Sequence, residues 1–255
     1  MNRTTAAALI MKNLRMVLEY DGTAYHGWQR QADLATVQQV VEEKIALMTR
    51  EKVTLIGSGR TDAGVHALYQ VANFRTGTRI SEKDLLRGLN SLLPADIAVK
   101  EITEVTDDFH AQFSARSKTY EYRIFNGPTR PALARNQVWF VFGPLDLAAM
   151  EEAAAGLRGV HDFSSFCAAG HESKSMIREI YDCGFERRGD GFIRFFIEAN
   201  GFLKYMVRNI IGTLVEVGKG KRTPQDFLAI MEARDRRKAG VTAPPRGLFL
   251  VDVKY

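Results

Sequence analysis

The segment Asn13-Leu14-Arg15-Met16-Val17-Leu18-Glu19-Tyr20 alternates apolar and polar residues through Leu14, Met16 and Leu18, and the turn sequence Asp21-Gly22 follows it. Alternation with a period of two is typical of a strand that buries one face. An Asp-Gly pair is a common turn sequence. We therefore predict a half-buried strand that ends in a turn and opens the first of two similar units.

The residues after this strand predict two helices that alternate with strands. Apolar residues recur at helical spacing from Val37 to Met48, and Thr36 is in position to cap that helix. A second helix is predicted to begin at Ser81 and to end before Pro94. The other strands of this half are predicted at Val53 to Ile56, His66 to Phe74 and Ile97 to Val105. The order β-α-β-β-α-β is that of the ferredoxin-like split βαβ fold.

The second half of the chain repeats this plan in a looser form. Its predicted strands cover Lys118 to Phe125, Met176 to Glu186, Phe192 to Glu198 and Leu248 to Val253. Its predicted helices run from Leu145 to Leu157, from a cap at Asn200 to about Val217, and from Pro224 to Ala233. We therefore predict an α/β (α+β) protein with two ferredoxin-like domains, residues 1–113 and 114–255. Their mostly antiparallel sheets join into one extended sheet, with an active-site cleft between the domains.

The composition fits a folded protein with a basic balance of charge. Apolar residues make up 45% of the 255 residues, charged residues make up 25%, and the net charge is +5. This charge favours polyanionic partners such as nucleic acid without requiring them. The apolar run from Ala6 to Met11 is shorter than a signal-peptide core or a membrane span, so we expect a cytoplasmic protein without membrane association. Cys167, Cys183 and the histidines lack metal-ligand spacing, so we expect no structural metal.

A glycine-rich loop between two predicted strands carries a candidate catalytic acid. It reads Gly57-Ser58-Gly59-Arg60-Thr61-Asp62-Ala63-Gly64-Val65-His66. Its glycines allow a tight turn and a close approach to a ligand. The guanidinium of Arg60 would lower the pKa of a neighbouring carboxyl and keep it ionised. An ionised, desolvated carboxylate can act as a nucleophile, which makes Asp62 the candidate.

Two other interpretations of this loop stay open on the residues alone. Arg60 and Asp62 can form a surface ion pair in an ordinary turn, and such pairs contribute little. The glycines can also cradle a phosphate, although the loop lacks the Lys-Ser/Thr of a P-loop and a strand follows it where a P-loop has a helix. The loop therefore needs support from other parts of the chain.

Several segments together resemble the TruA family of tRNA pseudouridine synthases. The stretch from Gly57 to Ala67 is similar to the signature of that family, and Leu18 to Gln29 is similar to its first strand and loop. The further matches are Phe109-His110-Ala111-Gln112-Phe113, Lys118-Thr119-Tyr120-Glu121-Tyr122, Asn200 to Gly212, and Ala243 to Leu248. The resemblance covers the chain from about Leu14 to its last residue.

The resemblance implies an isomerase that converts uridine to pseudouridine at nucleotides 38, 39 and 40 of the tRNA anticodon arm. It implies that the reaction uses no cofactor or metal, and that the protein works as a homodimer with one tRNA contacting both subunits. Two rival functions stay open: a noncatalytic RNA-binding protein on the same fold, and a phosphate-binding metabolic enzyme. The aromatic motif of RNA-recognition domains, which the first rival would favour, is missing from the sequence.

The resemblance also assigns roles to individual side chains. It makes Asp62 the nucleophile and Tyr120 the active-site tyrosine, whose ring can stack on a flipped uracil. The resemblance implies that Arg208 faces the Asp62 carboxylate. It also implies that Arg60 fills the gap left by the flipped base and that Leu248 packs against the uracil. On spacing alone, Tyr120 and Leu248 would be strand core. Lys204 and Arg208, four residues apart on one helix, would be a solvated stripe.

A further set of residues is expected to contact the RNA. The resemblance points to Phe109, His110 and Gln112, and a polar loop adds Ser173 and Lys174. Many members of the family carry arginine at the Gln112 position, so we expect a weaker contact there. The cluster from Arg234 to Lys238 can bind phosphates, or it can be the charged end of a helix.

Overall fold

The computed structural model describes residues 11–170 and 175–255, and within these ranges the chain forms ten β-strands and five α-helices. The elements of the first half are β1 (Lys12–Tyr20), α1 (Val37–Thr49), β2 (Ile56–Gly57), β3 (His66–Thr76), α2 (Glu82–Leu92) and β4 (Ile97–Val105). The caps follow the sequence, since Thr36 accepts a hydrogen bond from the N–H of Gln39 and Ser81 accepts one from that of Asp84.

The second half contains the remaining elements. They are β5 (Ser117–Phe125), β6 (Trp139–Phe140), α3 (Leu147–Ala155), β7 (Gly159–Asp162), β8 (Ile177–Arg187), β9 (Phe192–Ala199), α4 (Met206–Gly218), α5 (Pro224–Glu232) and β10 (Leu248–Lys254). The short strands β6 and β7 were not predicted. They span two and four residues, which is too few for an alternating pattern to stand out.

All the strands belong to one mixed sheet, in the order β4-β1-β3-β10-β5-β9-β8-β7, with β2 on β3 and β6 on β5. Most pairs are antiparallel, and β10 pairs in parallel with β3 at His66 and Ala67. The order β10-β5-β9-β8 reproduces the ferredoxin-like arrangement, and β4-β1-β3-β2 reproduces it in the first half. The predicted fold class, two such units sharing an extended sheet, is confirmed. The predicted boundary between residues 113 and 114 falls between β4 and β5 and stays a prediction.

The second strand of the first half is much shorter than predicted. Residues 53–56 were expected to form it, but the ladder with β3 is limited to Ile56 and Gly57. The backbone of Leu55 is bound by α1 instead, because its N–H donates to Glu42 Oε1 and its carbonyl accepts from Gln38 Nε2, at 2.9 and 3.1 Å. The His66–Ala67 end of β3 pairs with β10, and this pairing joins the two halves.

The start of α4 also differs from the prediction. Asn200 does not cap this helix, since its side-chain oxygen accepts a hydrogen bond from the N–H of Glu179, at 3.1 Å. The helix begins at Met206, after Tyr205 in the left-handed conformation with φ of 62°. Lys204 therefore precedes the helix, and the expected stripe of Lys204 and Arg208 on one helical face is wrong.

The helices pack in two groups, one for each half of the sheet. Helix α2 lies against β4 and α1, while α3 lies against β8, α4 and α5. Helix α4 is almost entirely buried. Among the described residues, no helix combines the length and the apolar character needed to cross a membrane.

Candidate active site

The loop that carries Asp62 lies between β2 and β3, next to the place where β10 joins β3. Its first part is fixed by the buried side chain of Gln70, whose Nε2 donates to the carbonyl of Gly59 at 3.0 Å and whose Oε1 accepts from Ser58 Oγ at 2.7 Å. The N–H of Ser58 donates to the carbonyl of Val71, at 2.7 Å. These bonds make this part of the loop an extension of the sheet, which is the rigidity that a catalytic group needs.

The second part of the loop rests on the segment after β1. The N–H of Trp28 donates to the carbonyl of Thr61 at 3.1 Å, and the Thr61 and Tyr20 hydroxyls are hydrogen-bonded at 2.8 Å. Gly27 has φ of +92°, and a Cβ there would lie 2.5 Å from the Thr61 carbonyl oxygen. Glycine is therefore required at this crossing. The two motifs that resembled one family in the sequence are thus in direct contact.

The carboxylate of Asp62 pairs with an arginine from the other half of the chain. Nη1 of Arg208, on α4, donates to Asp62 Oδ2 at 3.0 Å, and the side chain of Asp62 is 26% exposed. Nε of Arg208 donates to the carbonyl of Ala243 at 2.8 Å, and its guanidinium lies 4.5 Å from the centre of the Tyr205 ring. The guanidinium is thus held on three sides, and the Asp62 side chain stays partly exposed.

Burial raises the pKa of Asp62, and the hydrogen bond and charge of Arg208, together with the charge of Lys204, oppose that rise. The sequence predicted instead a pKa lowered by Arg60. That expectation is wrong, because the guanidinium beside the carboxylate belongs to Arg208 and the loss of water outweighs its effect. Arg60 is exposed at the edge of the loop. The result is a carboxyl group whose charge depends on a partner 146 positions away in the sequence.

Tyr120 and Leu248 lie on adjacent strands beside this pair. The ring of Tyr120 is buried, meets Phe202 edge-on at 5.0 Å, and feels the charge of Asp62. Burial raises the pKa of its hydroxyl, so that the group stays protonated. Leu248 is buried opposite Tyr122 in the ladder and lies next to Phe249, the partner of His66. The structure thus brings Asp62, Arg208 and Tyr120 into one site, and Leu248 lies on the strand next to that of Tyr120.

His66 connects several segments around this site, and it was not singled out from the sequence. Its ring is buried, its Nδ1 accepts from the N–H of Gly22 at 3.1 Å, and its Nε2 lies 3.1 Å from the carbonyl oxygen of Arg246. It also stacks on Phe249 with ring centres 4.5 Å apart. Its place at the end of the signature was the available signal, but its bonds join segments that are distant in the sequence.

The residues predicted to contact RNA are only partly described. Phe109 is half-buried against Tyr255, with ring centres 5.0 Å apart. His110 caps its own turn, because its Nδ1 accepts from the N–H groups of Gln112 and Phe113, both at 3.2 Å. Gln112 is exposed. Ser173 and Lys174 lie outside the described residues.

The basic cluster from Arg234 to Lys238 has structural partners. Arg236 donates to the side chain of Asn209 and to the carbonyls of Ala239 and Gly240. Arg237 pairs with Asp235 at 2.8 Å. These contacts favour the interpretation of the cluster as the charged end of a helical segment. Within residues 11–170 and 175–255, no group of three or more His, Cys, Asp or Glu side chains is placed to hold a metal ion.

Fold and site together define an α+β protein in which two ferredoxin-like units share a sheet and meet at an aspartate–arginine pair. The sequence family described as tRNA pseudouridine synthase matches residues 16–114 and 153–255. Over 96% of this chain, a protein of Thermoanaerobacter sp. (strain X514) is 49% identical and one of Caldicellulosiruptor bescii is 48% identical, each covered over its whole length. A protein of Myxococcus xanthus is 44% identical, with 92% of its length covered. Each is named tRNA pseudouridine synthase A. The chain belongs to the tRNA pseudouridine synthase family, which confirms the resemblance found in its motifs.

Proposed function

We propose that this protein isomerises uridine to pseudouridine at nucleotides 38, 39 and 40 of the tRNA anticodon arm, with Asp62 as its nucleophile. Membership of the family supports an isomerase that acts on tRNA. The observation that carries the proposal is the Asp62 carboxylate, held 3.0 Å from Arg208 on a loop bonded to the sheet. The reaction breaks the C1′–N1 bond, forms a C1′–C5 bond, and replaces the proton lost from C5 by one gained at N1, so there is no net oxidation. An ionised carboxylate at the nucleoside can serve as its nucleophile.

The neighbours of Asp62 fit the needs of that reaction. Arg208 favours the ionised carboxylate in a site that excludes much of the water. The ring of Tyr120 offers a surface for the flipped uracil, and its protonated hydroxyl can donate a hydrogen bond to the base as it turns. Leu248 packs against the base from below. Arg60, exposed on the same loop, fills the space that the flipped base leaves in the stem.

The assembly and location of the protein belong to the same proposal. We infer a homodimer in which one tRNA contacts both subunits, acting in the cytoplasm. Leu133 and Phe142 are 99% and 71% exposed, and each is an apolar side chain of the kind that a subunit interface would cover. Light scattering of the purified protein would give the mass of a dimer, and a monomer at micromolar concentration would count against it. Phe109, His110, Gln112, Ser173 and Lys174 are proposed RNA contacts.

The decisive experiment uses unmodified tRNA and scores pseudouridine in the anticodon arm. We expect product with the wild-type protein and none with Asp62→Asn. Asp190→Asn is the matched control, because Asp190 is exposed in the β8–β9 turn with φ of 44°, a conformation that asparagine tolerates. Product from Asp62→Asn at the wild-type rate would refute the nucleophile. Tight tRNA binding without product would favour a noncatalytic RNA-binding protein, and nucleotide binding without tRNA dependence would favour a metabolic enzyme.

A further inference from the structure

Lys118 is a cation at the active site, and the reaction described above assigns it no role. It is the second residue of β5, and strand alternation places its side chain on the same face as that of Tyr120. Its Nζ lies 3.4 Å from the position that a Cβ on Gly59 would occupy. The ammonium group therefore lies against the loop that carries Asp62, roughly 7 Å along the strand from Tyr120.

The charges around Lys118 are unusual for a half-buried lysine. Among residues 11–170 and 175–255, no carboxylate lies within salt-bridge distance of its Nζ, and no hydrogen-bond acceptor binds it. The neighbouring charge is that of Arg178, a second cation, whose Nε lies 3.7 Å from the Cβ position of Gly201. Burial, followed by the charge of Arg178, lowers the pKa of Lys118. An anion bound beside Lys118 would offset the repulsion between these two cations.

We propose that Lys118, supported by the charge of Arg178, binds a backbone phosphate of the RNA strand next to the target uridine. This inference rests on the proposed function, because the RNA supplies the anion. Gly59 has no side chain, so a phosphodiester of the RNA strand can approach the ammonium group of Lys118 closely at this point of the loop. One nucleotide is then held by its phosphate at Lys118 while the neighbouring base occupies the site at Tyr120.

The test compares Lys118→Met with Lys118→Arg in an Asp62→Asn background, so that the uridine is not consumed during binding. Affinity for an unmodified anticodon stem-loop RNA is measured between low and moderate salt. We expect the slope of log affinity against log salt to become shallower by about 0.7 for Lys118→Met, as for one lost phosphate contact on a single strand. Lys118→Arg keeps the wild-type slope. Lys100→Met is the matched control, because Lys100 lies on the edge strand β4 with Glu19 as its partner at 3.2 Å.

Turnover and stability separate RNA binding from a structural role. With Asp62 intact, the loss in Lys118→Met falls mainly on KM, and its melting temperature equals or exceeds that of the wild type because a half-buried cation next to Arg178 is removed. An unchanged salt slope, or a melting temperature clearly lowered by Lys118→Met, would overturn the inference. Inorganic phosphate at constant ionic strength is a further arm. In one outcome, phosphate competes with RNA only when Lys118 is present, while Lys118→Met leaves the salt slope for RNA unchanged. That result would assign the site to free phosphate and would also overturn the inference.

The two proposals fail in different ways. If the wild-type protein forms no pseudouridine but Lys118→Met still changes the salt slope, the proposed function is wrong and the phosphate contact stands. If the wild-type protein forms pseudouridine and the slope does not change, the phosphate contact alone is wrong.

Discussion

At the scale of single residues, the proposed activity depends on the charge of one carboxyl group. Water is largely removed from Asp62, which raises its pKa, and Arg208 opposes this effect from 3.0 Å away. Arg208 in turn donates a hydrogen bond to the carbonyl of Ala243, so the segment before β10 helps to position the partner of Asp62.

Replacing Arg208 by methionine should change the pH dependence of the reaction. Loss of the guanidinium raises the pKa of Asp62 further, so the fall in rate on acidification should begin at a higher pH than in the wild type. Single-turnover rates between pH 5 and 9 measure this shift. Arg222→Met is the control, since Arg222 pairs with Glu216 toward the far end of α4. An acidic limb that stays in place would show that Arg208 does not control the charge of Asp62.

Two tyrosines on β5 should respond differently to the loss of a hydroxyl. Tyr120→Phe keeps the ring, so we expect unchanged RNA affinity and a rate of conversion lower by roughly 100-fold or more, in the range of general acid–base contributions. Tyr122→Phe removes a hydrogen bond to the carbonyl of Pro244, formed at 2.7 Å, and should cost about 1 kcal/mol of stability with a smaller effect on rate. Rapid-quench kinetics and urea denaturation distinguish the two. Equal rates for Tyr120→Phe and the wild type would leave that hydroxyl without a chemical role.

At the scale of elements, local patterns predicted most of the first half. Strands β1 and β4 and helix α2 agree with the alternation and the caps that the sequence shows, because the signals lie within each element. The predictions of the second strand and of the start of α4 were wrong for the same reason. The side chains of Glu42 and Gln38 bind the backbone of Leu55, and the side chain of Asn200 binds the backbone of Glu179. In both cases a partner distant in the sequence binds a group that local patterns assign to a strand or a helix cap.

Glu42, whose carboxylate binds the backbone just before β2, should be important for stability. Glu42 is buried, and its carboxylate accepts from the N–H of Leu55, Gln38 Nε2 and Arg30 Nε, each at 2.9 Å. Glu42→Ala leaves these donors unsatisfied, so we expect a loss of about 2–4 kcal/mol in the free energy of unfolding.

Glu43→Ala is the matched control for this substitution, because Glu43 is exposed and accepts a hydrogen bond from Gln39 alone among the described residues. It should change stability by less than about 0.5 kcal/mol. Guanidinium denaturation followed by circular dichroism gives both values. Similar small losses for the two variants would mean that Leu55 is held by other contacts.

At the scale of the whole molecule, the site is assembled from both halves, and this is why residue patterns could name its members but not their geometry. The motifs identified Asp62, Tyr120, Arg208 and Leu248, but their convergence depends on β10 lying between β3 and β5. Lys118 and His66 gave no separate signal, because their surroundings are set by strand pairing across the junction of the two halves.

His66 should make the stability of the fold sensitive to acid. Burial lowers its pKa from about 6.5, with Asp21 opposing the shift and Arg123 adding to it. The unfolded chain therefore binds a proton more readily, so the stability that neutral His66 provides is present above about pH 6.5 and is lost as the pH falls below it. Melting temperatures between pH 7.5 and 5 should fall in the wild type and change less in His66→Gln.

His161→Gln controls for the other histidines, since His161 is half-buried and hydrogen-bonded to the nearby carbonyl of Arg158. This variant should keep the wild-type dependence on pH. The assignment to His66 would be wrong if the two substitutions flattened the curve equally.

The central position of β10 has a consequence for biosynthesis. This strand is the last of the ten to leave the ribosome, yet it occupies a middle place in the sheet. Until residues 248–254 emerge, the His66–Ala67 end of β3 and one side of β5 lack their partner strand, and nascent chains carry open hydrogen-bonding edges. Chaperone binding and premature aggregation should therefore concentrate on chains stalled before Leu248, and the candidate site should form only once β10 has emerged.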